Sequence, residues 1–268
     1  IGVAIYPDDG ECPSDLLRNA DTAMYQAKAL GRNTYSFFTQ EMNIKMQRRL
    51  EIEEQMHGAL ERNEFEVFYQ AQFDVKNKSM IGAEALLRWH NPALGNVTPD
   101  EFIPIAEHSG LIVPIGEYVI AQALSLLREW QSKLQQKYII SVNLSPRQFR
   151  DTGLLNFIKK TLIREEISPE HLDLEITEGV LMNGQSYIYN ALAEIKKLGI
   201  KLAMDDFGTG YSSLSYLRQY SFDVLKIDRS FINGITQNKA DRDLVKATIA
   251  MSHSLGLSVI AEGVETKE

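Results

Sequence analysis

Short apolar runs recur along the chain from about residue 64 to its end, and amphipathic stretches of helix length separate most of them. Runs of this kind are typical of strands that are buried on both faces of a parallel sheet. They read FEVFYQAQF, MIGAEALLRW, KYIISVNLS, LDLEIT, IKLAMDD, DVLKID and LSVIAE. Between them, GEYVIAQALSLLREWQSKL repeats apolar residues at the spacing of one helix face, and SYIYNALAEIKKLG is another predicted helix.

Strands that alternate with helices favour βαβ units and a parallel sheet. Seven strands within about 205 residues predict an α/β fold, a TIM-like (β/α)₈ barrel. An open, doubly wound sheet is the alternative that the apolar pattern leaves open.

The first forty residues follow a different pattern. IGVAIYP is predicted to be a strand, Ser14 to cap the helix DLLRNADTAMYQAKAL, Gly31 to end it, and NTYSFF to be a second short strand. So small a unit cannot enclose a core. We therefore expect residues 1–38 to be the end of one domain, 39–63 a charged linking helix, and 64–268 the barrel.

Polar residues follow nearly every apolar run, and they favour the barrel. In a barrel the carboxyl ends of all strands meet on one face, whereas an open sheet spreads them along an edge. The residues at these ends are Glu84, Asn143, Glu175, Asp205, Asp206, Lys226 and Glu262.

Gathered carboxylates repel one another unless cations compensate them. Hard oxygen ligands prefer Mg²⁺, Mn²⁺ or Ca²⁺ to thiol-binding metals. We expect strand alternation to send the side chains of Asp205 and Asp206 in different directions, so that one carboxylate bridges two ions. That arrangement is typical of a two-metal phosphoester hydrolase, in which the charge of Lys226 would hold the attacking water or stabilise the transition state.

Each of these residues also has an ordinary interpretation. A single strand-end acid is more often a helix cap or part of a surface ion pair. A lone lysine in a barrel is equally a Schiff-base nucleophile, which makes a lyase a further hypothesis. The glycines of DDFGTG are too few for a nucleotide fingerprint and predict a mobile loop, which Glu178, one helical turn after Glu175, is placed to hold.

Composition narrows the class of protein. With 44% hydrophobic and 24% charged residues the chain is in the globular range, and a net charge of −8 argues against binding duplex nucleic acid. The single cysteine, Cys12, allows no internal disulfide, so we expect a cytoplasmic location. No apolar run approaches the roughly 18 residues of a membrane span; a membrane anchor upstream in a parent protein would be compatible with this.

Taken together, several motifs resemble the EAL-domain phosphodiesterases that cleave cyclic di-GMP. The resemblance runs from about residue 45 to the last residue and rests on EALLRW, NPALGNVTPDEFIPIAEHSGLI, SVNLSPRQF, LEITEG, DDFGTGYSSL, LKIDRSF and AEGVET. It implies a (β/α)₈ barrel with one antiparallel strand, and hydrolysis of cyclic di-GMP to linear pGpG. It also implies two divalent cations, Mg²⁺ or Mn²⁺, with Ca²⁺ binding but inhibiting.

The resemblance implies a role for individual residues. The implied metal ligands are Glu84, Asn143, Glu175, Asp205, Asp206 and Glu262. Lys226 would assist the attacking water, so that the catalytic set is Lys226, Glu84, Asp205 and Asp206. Glu178 would hold the DDFGTG loop. The implied substrate contacts are Gln70, Leu87, Arg88, Asn143, Asp206, Lys226, Gly263, Val264 and Glu265.

The opening segment is similar to the end of a GGDEF domain, whose catalytic sequence is not in the chain, so we expect no cyclase activity here and a parent with upstream GGDEF or sensor domains. A homodimer is one possible assembly. Ala71 stands where the family often has proline, which relaxes the backbone beside Gln70. Because the chain stops soon after AEGVET, we expect the barrel to lack its last βα unit. A cyclic di-GMP receptor with little turnover is therefore the main alternative.

Overall fold

The structure, a computed structural model, describes residues 1–31, 33–134, 136–182, 186–208, 217 and 219–265. In these residues the strands are β1 Gly2–Val3, β2 Ser36–Phe37, β3 Phe65–Phe73, β4 Met80–Asn91, β5 Gly95–Val97, β6 Ile139–Asn143, β7 Leu172–Thr177, β8 Lys201–Phe207, β9 Val224–Ile227 and β10 Ser258–Ala261. The helices are α1 Pro13–Ala29, α2 Gln40–Met56, α3 Pro99–Ser109, α4 Ile112–Leu134, α5 Leu154–Arg164, α6 Glu178–Met182, α7 Ser186–Lys197, α8 Arg229–Asn233 and α9 Lys239–Ser254.

The chain forms two compact units, one of residues 1–64 and 91–109, the other of residues 65–90 and 110–268. The sequence-based division at residues 38 and 63 stays a prediction beside this one. None of the helices in the described part of the chain has both the length and the apolar character to cross a bilayer.

In the first unit, β1 and β2 pair in parallel, and the N-terminal helix begins at Pro13, two residues earlier than expected. Ser14 is not the N-cap, because the helix already begins at Pro13 and Cys12 is the N-cap. Proline is favourable at the first helical position, where its missing N–H removes no helical hydrogen bond. At the other end Gly31 has φ +103°, a conformation that glycine adopts readily, so the predicted helix end is correct.

The next helix, α2, is shorter than the predicted linking helix. It ends at Met56, because the backbone of His57 is extended and Gly58 has φ +74°. The apolar pattern continues to Ala59, which is buried although it lies beyond the helix. Burial outside the helix explains why periodicity overestimated its length.

The second unit is built on a curved sheet with the strand order β10-β9-β8-β7-β6-β4-β3. Neighbouring strands from β4 to β10 are parallel, and only β3 runs antiparallel to β4 among the described pairs of this path. The strands follow one another in chain order without the reversal that a doubly wound sheet requires. The TIM-like fold is therefore confirmed and the open doubly wound alternative is wrong. Within the described residues β10 and β3 are not paired with each other.

The two faces of this sheet differ in chemistry. The outward side chains form the hydrophobic core with the surrounding helices and are almost fully buried, among them Ile140, Val142, Leu174, Ile176, Leu202 and Leu225. Alternate residues of the same strands face the interior, and many are polar. The register sets Asn143 beside Glu175 and Gln70 opposite Glu84. Apolar packing outside thus fixes polar side chains inside.

Candidate active site

The side chain of Lys226 lies at the centre of a carboxylate cluster inside the second unit. It is 1% exposed, because its neighbours on β9 take their side chains to the outer core while Lys226 faces inward. Its Nζ contacts oxygens from four different parts of the sheet: Glu84 at 3.0 Å, Glu175 at 2.6 Å, Asp205 at 3.3 Å and Glu262 at 2.7 Å. Strand-end residues far apart in sequence therefore meet at one atom.

Asn143 joins the cluster through Glu84. The amide Nδ2 of Asn143 donates a hydrogen bond to Glu84 Oε1 at 2.8 Å, while the other oxygen of Glu84 accepts from Lys226. Both oxygens of this carboxylate are therefore held in place. The side chain of Asn143 is on the same face as Glu175, its register partner on β7.

Asp205 and Asp206 come together in a way that strand alternation does not provide. Asp206 has φ +54°, and the β8/β9 register shifts between Met204 and Phe207. Asp206 N–H donates to Asp205 Oδ1 at 3.0 Å, and ligand oxygens of Asp205, Asp206 and Glu262 lie within 4.8 Å of one another. The expectation that the two carboxylates point in different directions is thus wrong. An irregularity of β8 and a left-handed residue bring both to one side, a conformation that aspartate tolerates better than most residues.

The electrostatics of the cluster keep Lys226 charged. Burial acts to lower the pKa of Lys226, but the surrounding carboxylates, led by Glu175 and followed by Asp205, outweigh it and raise this pKa. Glu175 shows the opposite balance. Burial, helped by the charges of Glu84 and Asp205, raises its pKa well above the usual value even though Lys226 opposes the shift.

Two further carboxylates of the cluster, Asp206 and Glu262, also have a raised pKa. Burial is the largest cause that raises the pKa of Asp206 and of Glu262, and neighbouring carboxylates add to it in both. If all are ionised, the five acids and Lys226 carry a net charge of −4. Two divalent cations would neutralise this charge.

The donor set fits a divalent cation. Carboxylate and amide oxygens are the ligands that Mg²⁺ and Mn²⁺ prefer. Oxygen Oε1 of Glu175 is buried without a hydrogen-bond partner in the described part of the chain, which is costly unless a further group binds it. Asp205, Asp206 and Glu262 already lie at distances that a single ion could span.

The expected substrate contacts divide between the inside of the sheet and its outer face. Gln70 and Arg88 lie on the face that carries Glu84, and the ring of Phe68, two residues before Gln70, lies on that face as well. Leu87 lies between two inward positions and packs against the hydrophobic core, so its side chain is on the other face. A substrate contact of Leu87 stays a prediction. Sequence reasoning missed Phe68, although its period-two spacing from Gln70 marks the same face.

The remaining expected residues follow β10 and β7. Gly263, Val264 and Glu265 are exposed directly after Glu262, and Gly263 has φ +68° with Arg229 so close that a side chain there would collide with it. Glu178 is buried at the start of α6. The loop that Glu178 is expected to hold lies mostly at residues 209–216, outside the described residues.

Comparisons with known families identify both parts of the chain. The model of the EAL domain family matches residues 53–268, and the model of the diguanylate cyclase GGDEF domain family matches residues 1–34. The EAL match begins within α2 and includes every residue of the second unit, and the GGDEF match ends before β2.

Two curated relatives span the chain. "Bifunctional diguanylate cyclase/cyclic di-GMP phosphodiesterase MucR" of Pseudomonas aeruginosa is 43% identical over 267 residues, which is 100% of this chain and 39% of the relative. "Cyclic di-GMP phosphodiesterase NbdA" of the same organism is 37% identical over 268 residues, 100% of this chain and 34% of the relative. The chain thus spans between a third and two fifths of the length of these proteins.

A solved structure has a similar fold. The structure described as "PaMucR Phosphodiesterase, c-di-GMP complex" matches with a TM-score of 0.76 and 40% identity, covering 81% of this chain and 88% of the other. The similarity extends over nearly the whole of that phosphodiesterase chain.

Proposed function

The chain belongs to the EAL domain family, and from this premise we propose that it hydrolyses cyclic di-GMP to the linear dinucleotide pGpG with two divalent cations. The observation that carries the proposal is the cluster around Lys226, where Asn143 meets five acids from β4, β7, β8 and the end of β10. The relatives MucR and NbdA are named as cyclic di-GMP phosphodiesterases, which supports the same substrate for this chain.

The residues of the cluster would hold the cations. Glu84, Asn143, Glu175, Asp205, Asp206 and Glu262 are the proposed ligands, with Mg²⁺ or Mn²⁺ as the ion. When bound, such ions lower the pKa of a water molecule and stabilise the charge that develops on phosphorus oxygens. Without cations, the net charge of −4 in the cluster would repel the negative charge of a phosphodiester. Bound cations would remove this repulsion.

Lys226 would position the attacking water or the phosphate and would not remove a proton from the water. Four carboxylates lie within 3.3 Å of Nζ and favour its ammonium form, in which Nζ donates hydrogen bonds and has no lone pair with which to take a proton. The ammonium group therefore orients an oxygen of the water or phosphate, and its charge is most useful in the transition state. The same protonation argues against the Schiff-base lyase, which needs a neutral amine at this position.

The intact donor set favours an enzyme over a receptor. A module that only binds cyclic di-GMP needs a pocket and hydrogen bonds but not five acids gathered around one buried lysine, since uncompensated buried charge is costly. We propose further that Arg88 binds a phosphate or base through its donor fork. A cytoplasmic location and the absence of duplex nucleic acid as a partner stay part of this proposal.

A hydrolysis assay tests the function. The purified chain is incubated with cyclic di-GMP in Mg²⁺, in Mn²⁺, in Ca²⁺ and with a chelator, and the nucleotides are separated by chromatography. We expect pGpG with Mg²⁺ or Mn²⁺, little with Ca²⁺, whose looser coordination holds the reacting groups less strictly, and none with the chelator. Equal formation of pGpG in every sample would contradict the metal-dependent mechanism.

Binding without turnover is the outcome that would favour a receptor. Calorimetry on the same samples measures whether cyclic di-GMP binds in Ca²⁺. Tight binding together with no pGpG in Mg²⁺ or Mn²⁺ would replace the proposed enzyme by a cyclic di-GMP receptor.

A further inference from the structure

Phe68 and Arg88 form a pair on the inner face of the β3/β4 hairpin. In the antiparallel register Glu66 is opposite Arg88 and Phe68 is opposite Leu86, so Phe68 and Arg88 are diagonal neighbours on one face. The guanidinium carbon of Arg88 lies 5.5 Å from the centre of the Phe68 ring. At this distance a cation is attracted to the face of an aromatic ring.

Among the described residues, the guanidinium of Arg88 contacts a backbone carbonyl and an aromatic ring. Its Nη1 donates to the carbonyl oxygen of Leu87 at 2.9 Å, which ties the side chain back to its own strand. The acid directly across the strand pair, Glu66, lies 3.8 Å from His90 instead, and in the described part of the chain Arg88 forms no ion pair with a carboxylate. The positive charge of Arg88 therefore remains available to an anion.

The pair lies some distance from the carboxylate cluster. Glu84 and Arg88 are four residues apart on the same face of β4, and a strand rises about 3.4 Å per residue, so their Cα atoms are separated by roughly 13 Å. β4 is parallel to β6, so Arg88 lies beyond Glu84 toward the carboxyl end of the sheet. A cyclic dinucleotide with one phosphodiester at the cluster would extend its other half in this direction.

Phe68 is 48% exposed, so its ring is accessible to a ligand on this face. Resting on the proposed function, we propose that Phe68 is a positioning residue: its ring holds the guanidinium of Arg88 where it meets the half of cyclic di-GMP that is not being cleaved. The reacting phosphodiester is elsewhere, so the pair contributes to binding the substrate and its transition state equally. Such an interaction changes KM and leaves kcat nearly constant.

A double-mutant cycle tests the proposal. Phe68→Leu removes the aromatic face and keeps an apolar side chain, and Phe68→Tyr restores the face. The matched control is Phe73→Leu, an exposed aromatic residue at the other end of β3. We expect Phe68→Leu to raise KM about three- to tenfold with kcat within about twofold, and expect Phe68→Tyr and Phe73→Leu to resemble the parent.

The background variant Arg88→Ala separates positioning from packing. If Phe68 acts through Arg88, Phe68→Leu has no further effect on KM once Arg88 is alanine. The same increase in KM in both backgrounds, or no increase in either, would overturn the proposal. Melting temperatures are measured for every variant, and a loss of kcat that follows a lowered melting temperature would show a structural role instead.

Measurements on the unmutated chain, called the parent here, distinguish failure of the Phe68 proposal from failure of the proposed hydrolysis. If the parent forms no pGpG, the proposed hydrolysis is wrong, and the same cycle is then measured as the dissociation constant for cyclic di-GMP in Ca²⁺, where we expect the same pattern. A parent that neither cleaves nor binds cyclic di-GMP would overturn both proposals.

Discussion

Lys226 shows how a single side chain depends on the chain around it. Burial alone would favour the neutral amine, yet four carboxylate contacts of 2.6 to 3.3 Å keep the ammonium group. Lys226 carries the positive charge of the cluster, and the five acids around it carry negative charges when they are ionised. Removing Lys226 would leave buried carboxylates without a compensating charge. An unpaired buried charge destabilises the folded state more than a buried ion pair does.

The first prediction concerns this lysine. Lys226→Ala is expected to lower kcat by about 10²- to 10³-fold, with a much smaller change in KM, because its charge is needed most where negative charge develops. Steady-state hydrolysis of cyclic di-GMP at saturating Mg²⁺ measures both constants. An unchanged kcat with a large increase in KM would assign Lys226 to substrate binding instead.

Asp173 provides a pH-dependent test that does not involve the cluster's own acids. It is buried on β7, and burial raises its pKa to about 6. Because the folded-state pKa is above the ordinary value of 3.8, the folded state binds more protons, and stability falls as pH rises from about 4 to about 6.

Replacing this carboxyl by an amide should therefore stabilise the protein only at high pH. Asp173→Asn is expected to raise the free energy of unfolding by up to about 3 kcal/mol at pH 7.5 and to change it little at pH 4. Thermal or urea unfolding at the two pH values measures this. A variant that is less stable than the parent at pH 7.5 would show that the ionised carboxylate is satisfied by contacts with nearby lysines.

At the scale of elements, the sequence predicts regular structure well and irregular structure poorly. FEVFYQAQF and LDLEIT coincide with β3 and β7, because apolar residues recur in both at the period of two that is typical of a strand. The irregularity of β8 was not predictable, since a register shift depends on the neighbouring strand. Phe68 differs from β8 in this respect, because its period-two spacing from Gln70 is visible in the sequence and the pairing of β3 with β4 places both on one face.

The irregularity of β8 leads to a prediction about Asp206. Asp206→Asn keeps a residue that tolerates φ +54° and removes only the charge. We expect hydrolysis to fall by at least about 10²-fold, while the melting temperature stays within a few degrees of the parent's. Turnover close to that of the parent would mean that the carboxylate of Asp206 is not needed, and that its place beside Asp205 is a consequence of the turn alone.

At the scale of the whole molecule, apolar side chains on the outside of the sheet hold like charges together on its inside. The sequence predicts this because polar residues follow successive strands, and chain-order topology then brings them to one place. It does not predict which atoms touch. The contacts of Asn143 with Glu84 and of four acids with one lysine nitrogen depend on side-chain directions that only the folded sheet defines.

The excess of negative charge predicts that cations stabilise the fold. Under the proposed function, Mg²⁺ would bind the folded cluster and not the unfolded chain. The free energy of unfolding should then rise by about 2.7 kcal/mol when Mg²⁺ is at 100 times its dissociation constant. A series of thermal melts with increasing Mg²⁺, reversed by chelator, measures the effect. A melting temperature that is independent of Mg²⁺ up to high concentrations would argue against a metal site here.

The most direct test of the central claim compares two acids on the same strand. Glu175 and Asp173 are both buried, face the same side of β7 and are two residues apart, but only Glu175 contacts Lys226. Mg²⁺-dependent hydrolysis of cyclic di-GMP is measured for the parent, Glu175→Gln and Asp173→Asn at equal concentrations of folded protein. We expect Glu175→Gln to lose activity by orders of magnitude and Asp173→Asn to remain near the parent rate. Near-parent activity in Glu175→Gln would contradict the assignment of the cluster as the catalytic site.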